Sequence, residues 1–117
     1  MKKILVADDE MSIRLLYSEE LKEEGYEVYQ AANGREAIEV VDKIPLDLVI
    51  LDIKMPEMDG IEALRQIKEK RPDLPVVLST AYGEYKQDFA TWASDEYLVK
   101  SSDLEDLKAV VKRYLKE

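Results

Sequence analysis

Leu48-Val49-Ile50-Leu51 is an apolar run of strand length with no polar residue at either alternate set of positions. A strand that can face water on one side alternates apolar with polar. One without any polar position must be covered on both faces, which points to the centre of a parallel sheet packed between helices. The run stops at Asp52 and passes into a loop punctuated by Pro56 and Gly60. A carboxylate therefore stands at the carboxyl end of a central strand, the edge at which open α/β sheets bind ligands.

The rest of the chain supplies the neighbours that such a strand needs. Ile4 to Ala7 predicts a first strand, ending in Asp8-Asp9. A helix is expected from Ser12 to Glu24, with Ile13, Leu16, Tyr17 and Leu21 on its inner face and Gly25 as its stop. Glu27 to Ala31 reads as a second strand, and Asn33-Gly34 as the turn into a helix that carries Ala37, Ile38 and Val41 inward and is closed by Pro45. Beyond Gly60, Ile61, Leu64 and Ile67 mark a third helix, ended by Arg71-Pro72. Val76 to Ala81 is a fourth strand, followed by a less regular helical stretch from Tyr85 to Ala93. Glu96 to Lys100 is a fifth strand. Ser102-Asp103-Leu104-Glu105 has capping-box spacing and opens a last helix with Leu107, Val110, Val111 and Tyr114 inward.

Five strands alternating with five helices require parallel pairing through right-handed crossovers. The expected fold is an α/β, doubly wound, five-stranded parallel sheet of order 2-1-3-4-5, a flavodoxin-like three-layer sandwich with five helices. The switch point then falls between strands one and three, which brings Asp8 and Asp9 beside Asp52. Thr80 and Lys100 end strands on the same edge. The 117 residues are expected to form one domain over 1–117, without linker, repeat or second unit.

Composition narrows the chemistry. There is no cysteine and no histidine, so thiolate sites and the commonest general base are both excluded. With 26 acidic against 17 basic residues the net charge is −9, which opposes direct DNA binding and attachment to anionic membrane. The apolar N-terminal stretch is too short for a signal sequence, and no segment has the length to span a bilayer. A soluble, cytoplasmic protein is expected. Three carboxylates at close quarters repel, by about 3 kcal/mol for two unit charges roughly 5 Å apart at an effective dielectric near 20. Oxygen-only donors select a hard cation, Mg²⁺ before Ca²⁺, with Mn²⁺ able to substitute. Such a site is suited to phosphoryl transfer: Asp52 as nucleophile, already ionised and needing no base, Lys100 neutralising phosphoryl oxygens and Thr80 hydrogen-bonding one of them. The phosphoryl donor must come from outside.

Asp8-Asp9 after the first strand, Asp52-Ile53-Lys54-Met55-Pro56-Glu57-Met58-Asp59-Gly60, Ser79-Thr80-Ala81 and Tyr97-Leu98-Val99-Lys100, in that order, resemble the receiver domain of two-component response regulators. The resemblance implies that Asp52 is the phosphorylated aspartate, that Asp8 and Asp9 bind Mg²⁺ and that the backbone carbonyl of Lys54 completes the protein's metal ligands. It makes Thr80 and Tyr97 a switch pair that reports to the surface of the fourth helix, fifth strand and fifth helix. Lys100 becomes the phosphate-contacting lysine, and small Ala81 leaves room for a donor. Ser101 departs from the family, which usually has Pro there, often after a cis bond; a non-Pro cis bond costs about 3 kcal/mol, so this loop is either trans or strained. The implied partners are a histidine kinase or histidine phosphotransfer protein and a separate downstream effector, with no enzymatic turnover beyond self-directed phosphoryl acceptance and autodephosphorylation.

Among stand-alone receivers, Lys54 with Thr80-Ala81-Tyr82-Gly83-Glu84 looks more like the sporulation-phosphorelay type than the chemotaxis type. Lys54 and Tyr82 occupy the positions where an amide or carboxylate would orient a hydrolytic water, so they predict a long-lived phosphoryl group. Two other classes compete. A haloacid-dehalogenase-like Mg-dependent phosphatase wants a second Asp two residues after the first, where Lys54 stands. A flavodoxin-like cofactor binder needs a phosphate-cradling loop where Asp8-Asp9-Glu10 would repel the ligand.

Overall fold

The computed structural model describes residues 1–53, 55, 58, 60–80, 96–99 and 104–115, and only the backbone at 80, 96, 97 and 99. In chain order the elements are β1 (Lys3–Ala7), α1 (Met11–Glu23), β2 (Glu27–Ala31), α2 (Gly34–Lys43), β3 (Leu48–Asp52), α3 (Gly60–Lys70), β4 (Val76–Thr80), β5 (Glu96–Val99) and α4 (Glu105–Tyr114). The sheet runs β2-β1-β3-β4-β5 with every pairing parallel. All five residues of β3 are buried, as an unbroken apolar run requires.

Alternate strand residues build two cores. Leu5, Val49, Leu51, Val76 and Leu78 pack with Ala37 and Val41 of α2 and with Ala63, Leu64 and Ile67 of α3. Ile4, Val6, Leu48, Ile50, Val77 and Leu98 face the other way, onto Tyr17 and Leu21 of α1 and Leu107, Val110 and Val111 of α4. Three layers result. The helical stretch expected from Tyr85 to Ala93 lies outside the described residues, so four helices are described.

Several details differ from the sequence expectation. α1 starts and ends one residue earlier than expected. Leu16, expected in the core, is 42% exposed, and Leu15 and Met11 of the same helix are exposed too. The buried positions of α1 are Tyr17, Ser18 and Leu21; successive helix residues are about 100° apart, so once Tyr17 and Leu21 define the inner line, Leu16 turns away from it. Asn33 does more than turn the chain. Its side chain accepts from the Glu36 N–H at 2.8 Å, and the Glu36 carboxylate accepts from the Ala32 N–H at 2.8 Å, so two free donors at the start of α2 are satisfied. α4 begins at Glu105 with Leu104 before it and no side-chain cap; Ser102, expected to open the helix, lies outside the described residues.

The end of α1 is a Schellman arrangement. Gly25, at φ 99°, donates to the Lys22 carbonyl and Tyr26 to the Leu21 carbonyl. Two ion pairs tie α1 to α4, Lys108 to Glu20 at 3.1 Å and Lys112 to Glu24 at 3.7 Å.

Gly60 is needed for a different reason from Gly25, namely space. Its N–H donates to the Ile53 carbonyl at 2.7 Å, which brings the start of α3 against the residue that follows β3. A Cβ there would lie 2.0 Å from the Asp52 carbonyl oxygen and 2.7 Å from the Ile53 Cα, both backbone atoms that cannot rotate aside. Gly60→Ala is expected to destabilise the protein by about 3 kcal/mol in a urea titration. Gly25→Ala meets nothing within 4 Å and is expected to lose only about 1–2 kcal/mol, from the left-handed backbone. Equal losses would refute the steric account of Gly60.

Candidate functional site

β1 and β3 are sheet neighbours although the β2 unit separates them in sequence, so the chain changes direction between them. Ala7 is paired with Leu51, and the next residue on each strand is an acid. One carboxylate oxygen from each of Asp8, Asp9 and Asp52 lies within 4.8 Å of the other two. Asp8 and Asp52 are buried, 2% and 5% exposed, while Asp9 is exposed.

Backbone contacts fix these acids. The Asp8 N–H donates to the Ala31 carbonyl at 3.0 Å, across to β2, and the Asp8 carboxylate accepts from the Glu10 N–H at 2.9 Å. Arg14 of α1 donates through Nη1 to the Asp8 carbonyl at 2.7 Å and through Nε to Gln30 Oε1 at 3.3 Å. It thus clamps the exits of β1 and β2 and brings a positive charge to the acidic edge. Nothing singled Arg14 out in the sequence; its signal is its place in the first turn of the helix that follows the acids. On the other side, the Ile53 N–H donates to the Ser79 carbonyl at 3.3 Å. The donor set is carboxylate oxygen throughout, two members are withheld from bulk water, and the mutual repulsion calls for a cation. These residues fit a small hard divalent ion.

Ser79 sits opposite Asp52 in the β3–β4 register and is 1% exposed. Among the described residues its hydroxyl has no hydrogen-bond partner, and neither has that of Ser18. A buried hydroxyl left unsatisfied costs about 1–3 kcal/mol, so Ser79 is an anomaly beside the acids that the sequence did not reveal.

Of the residues expected to form the site, Asp8, Asp9 and Asp52 are brought together. Thr80 ends β4, paired with Val99, and Tyr97 is paired with Leu78, which puts both backbones near the same edge. Lys54, Ala81, Tyr82, Lys100 and Ser101 lie outside the described residues.

Comparison with known proteins bears on this arrangement. The family model for the response regulator receiver domain matches residues 4–112. Sporulation initiation phosphotransferase F of Bacillus subtilis is 40% identical over 116 residues, covering 97% of this chain and 94% of the relative. Regulatory protein AtoC of Escherichia coli is 37% identical over 98% of this chain, which spans only 25% of that longer protein. Among solved structures, the response regulator protein TrrA of Thermotoga maritima in complex with Mg²⁺-BeF is 50% identical, with a TM-score of 0.96 over 98% of this chain and 100% of that one. A complex of histidine kinase ThkA with TrrA matches at 49% identity and a TM-score of 0.93, covering 99% of this chain and 100% of that one. The matches give no support to a haloacid-dehalogenase-type phosphatase.

Repulsion among the three acids sets up a test. Asp9→Asn removes one charge without changing shape and is expected to raise the melting temperature in chelator by about 4 °C. Millimolar Mg²⁺ is expected to raise the melting temperature of the parent, by binding only the native state, and to do so far less for the variant. An Asp9→Asn protein that melts lower in chelator would refute the electrostatic account.

Proposed function

The chain belongs to the response-regulator receiver family, and from that membership we propose that it is a phosphoryl-carrying signalling protein with Asp52 as the acceptor. The observation that carries this reading is the convergence of Asp8, Asp9 and Asp52 within 4.8 Å at the switch point of a parallel sheet. In the reaction, a carboxylate oxygen of Asp52 forms a bond to phosphorus as the bond from phosphorus to the donor, a phosphohistidine nitrogen, breaks. No proton need be removed from the nucleophile, which accords with a chain that has no histidine of its own. Burial of Asp52 beside β4 holds its carboxylate for in-line approach from the open edge.

Asp8, Asp9, Asp52 and the Lys54 backbone carbonyl are the residues that would hold Mg²⁺, or Mn²⁺ in its place. The chemistry the ion supplies when bound is neutralisation of phosphoryl charge. Lys100 takes part of the same charge, Thr80 donates to a phosphoryl oxygen, and Tyr97 follows the movement of Thr80. The chain is acceptor and carrier rather than a turnover enzyme.

The donor is a histidine kinase or histidine phosphotransfer protein, a proposal supported by the kinase complex of the TrrA structure. Exposed Met11, Leu15 and Leu16 add to it: they place an apolar patch on α1, the helix that leaves the acidic edge directly after Glu10. Such a patch suits the apolar flank of a donor helix that presents its phosphohistidine to Asp52. Donors of this kind act in the cytoplasm, where we place this protein. The phosphoryl group then passes to, or is read by, a separate protein; the net charge of −9 argues against DNA as the target. The match over nearly the whole length of a sporulation phosphotransferase favours onward transfer over a fast switch.

Three outcomes test this reading. Intact mass after incubation with Mg²⁺ and acetyl phosphate is expected to show one phosphoryl group on the parent and none on Asp52→Asn; equal labelling removes Asp52 as acceptor. Leu16→Asp is expected to slow phosphorylation by the cognate kinase about tenfold while acetyl phosphate labels it at the parent's rate; parallel loss with both donors would count against the docking patch. Lys54→Asn and Tyr82→Glu are each expected to shorten the lifetime of the phosphorylated form, about threefold or more, by offering a group that orients water. Unchanged lifetimes would favour the switch over the carrier.

A further inference from the structure

We propose that Ser79 is a second hydroxyl of the phosphoryl site, unpartnered among the described residues while Asp52 is unphosphorylated and recruited as a donor once Asp52 carries a phosphoryl group. The inference rests on Asp52 being the acceptor.

The two orphan hydroxyls differ in what surrounds them. Ser18 lies inside α1, where a change of χ1 brings a helical serine within reach of the carbonyl four residues earlier, although the hydroxyl makes no such bond in this structure. Ser79 lies in β4, whose backbone groups are engaged in the ladder; its own carbonyl already accepts from Ile53. Among the described residues its side chain meets no acceptor. By the alternation that sends Leu78 and Leu51 to one core and Val77 and Ile50 to the other, Ser79 and Asp52 project from the same face of the sheet. Their strand pairing is direct, and neighbouring strands are about 4.8 Å apart. On the other side Ser79 is paired with Leu98, which is buried and apolar. Asp52 is therefore the polar side chain in register with this hydroxyl, and it is the group to which phosphoryl oxygens are added.

Phosphorylation of the Asp52 carboxylate adds strong acceptor oxygens at the spot where an acceptor is wanting. The hydroxyl needs only a rotamer change to meet one, because its proton is free to turn about the C–O bond. Among the described residues this hydroxyl is an unsatisfied buried donor at rest, and a phosphoryl oxygen would satisfy it. Ser79 thereby shifts the balance toward holding the phosphoryl group, and it does so from inside the sheet, out of reach of a docking partner. Apolar Leu or Val at this place would fill the space without that effect.

The experiment compares the parent with Ser79→Ala, a smaller apolar residue that a buried strand position accepts. Mg²⁺ affinity, the melting temperature in chelator, the affinity for beryllofluoride in saturating Mg²⁺ and the lifetime of the acetyl-phosphate-labelled form are measured on both. Ser79→Ala is expected to keep the parent's Mg²⁺ affinity and to melt no lower, because it loses an unsatisfied group, yet to bind beryllofluoride about tenfold more weakly and to lose phosphate faster. Equal beryllofluoride affinity in the two proteins overturns the proposal. So does a loss of beryllofluoride affinity matched by an equal loss of Mg²⁺ affinity and a lower melting temperature, which would make Ser79 a packing residue. If the parent itself fails to bind beryllofluoride, the assignment of Asp52 falls, and the role of Ser79 with it.

Discussion

The absence of any polar position in β3 governs the rest of the structure. A strand buried at all five residues cannot sit at a sheet edge or face solvent on either side, so it must have strands at both flanks and helices above and below. Helices reach both faces only if the strands run parallel and each connection crosses over. Parallel strands all end at one edge. The meeting of Asp8 and Asp52 follows from this without a dedicated device: β1 and β3 are paired, Ala7 with Leu51, and each is followed by an acid.

What the fold supplies freely in position it then opposes in energy. Two buried carboxylates and a third within 4.8 Å are an arrangement that a chain selected only for stability would avoid. The opposition is met by rigidity in the backbone: the Ala31 carbonyl and Arg14 hold the exit of β1, and Gly60, drawn onto the Ile53 carbonyl, holds the exit of β3. Both large cores lie beneath that edge, so the repulsion acts at the rim. Apolar burial on the two faces, about 25 cal/mol per Å² of area removed from water, provides the reserve against which such a rim persists.

The sheet, its order and the acidic trio were legible because each rests on a strong periodic signal or on position relative to one: the Leu48–Leu51 run, the paired acids after Ala7, the glycine and proline stops. Leu16 misled because three neighbouring apolar residues, Leu15, Leu16 and Tyr17, give a helix more apolar surface than its inner face can use, and sequence does not say which of them the sheet will claim. Ser18 was invisible for the complementary reason: a small hydroxyl at an inner position reads as solvent-facing. Ser79 is hidden in the sequence because Val76 to Ala81 reads as a strand on its apolar members, and Thr80 is the hydroxyl nearer its functional end. Arg14 escaped because its partner is a backbone carbonyl, which has no trace in side-chain patterning.

The ion pairs between α1 and α4 have the same spacing on both helices, Glu20 with Lys108 and Glu24 with Lys112, four residues apart in each. The two helices are thereby matched tooth to tooth, on top of sharing one core through Tyr17, Leu21, Leu107 and Val111. They are also far apart in the sequence. A chimera that takes its first helix from one regulator and its last from another would set unmatched charges against each other along this seam. In evolution by recombination, an α1 would therefore travel with its own α4, and the two helices would be inherited as a pair.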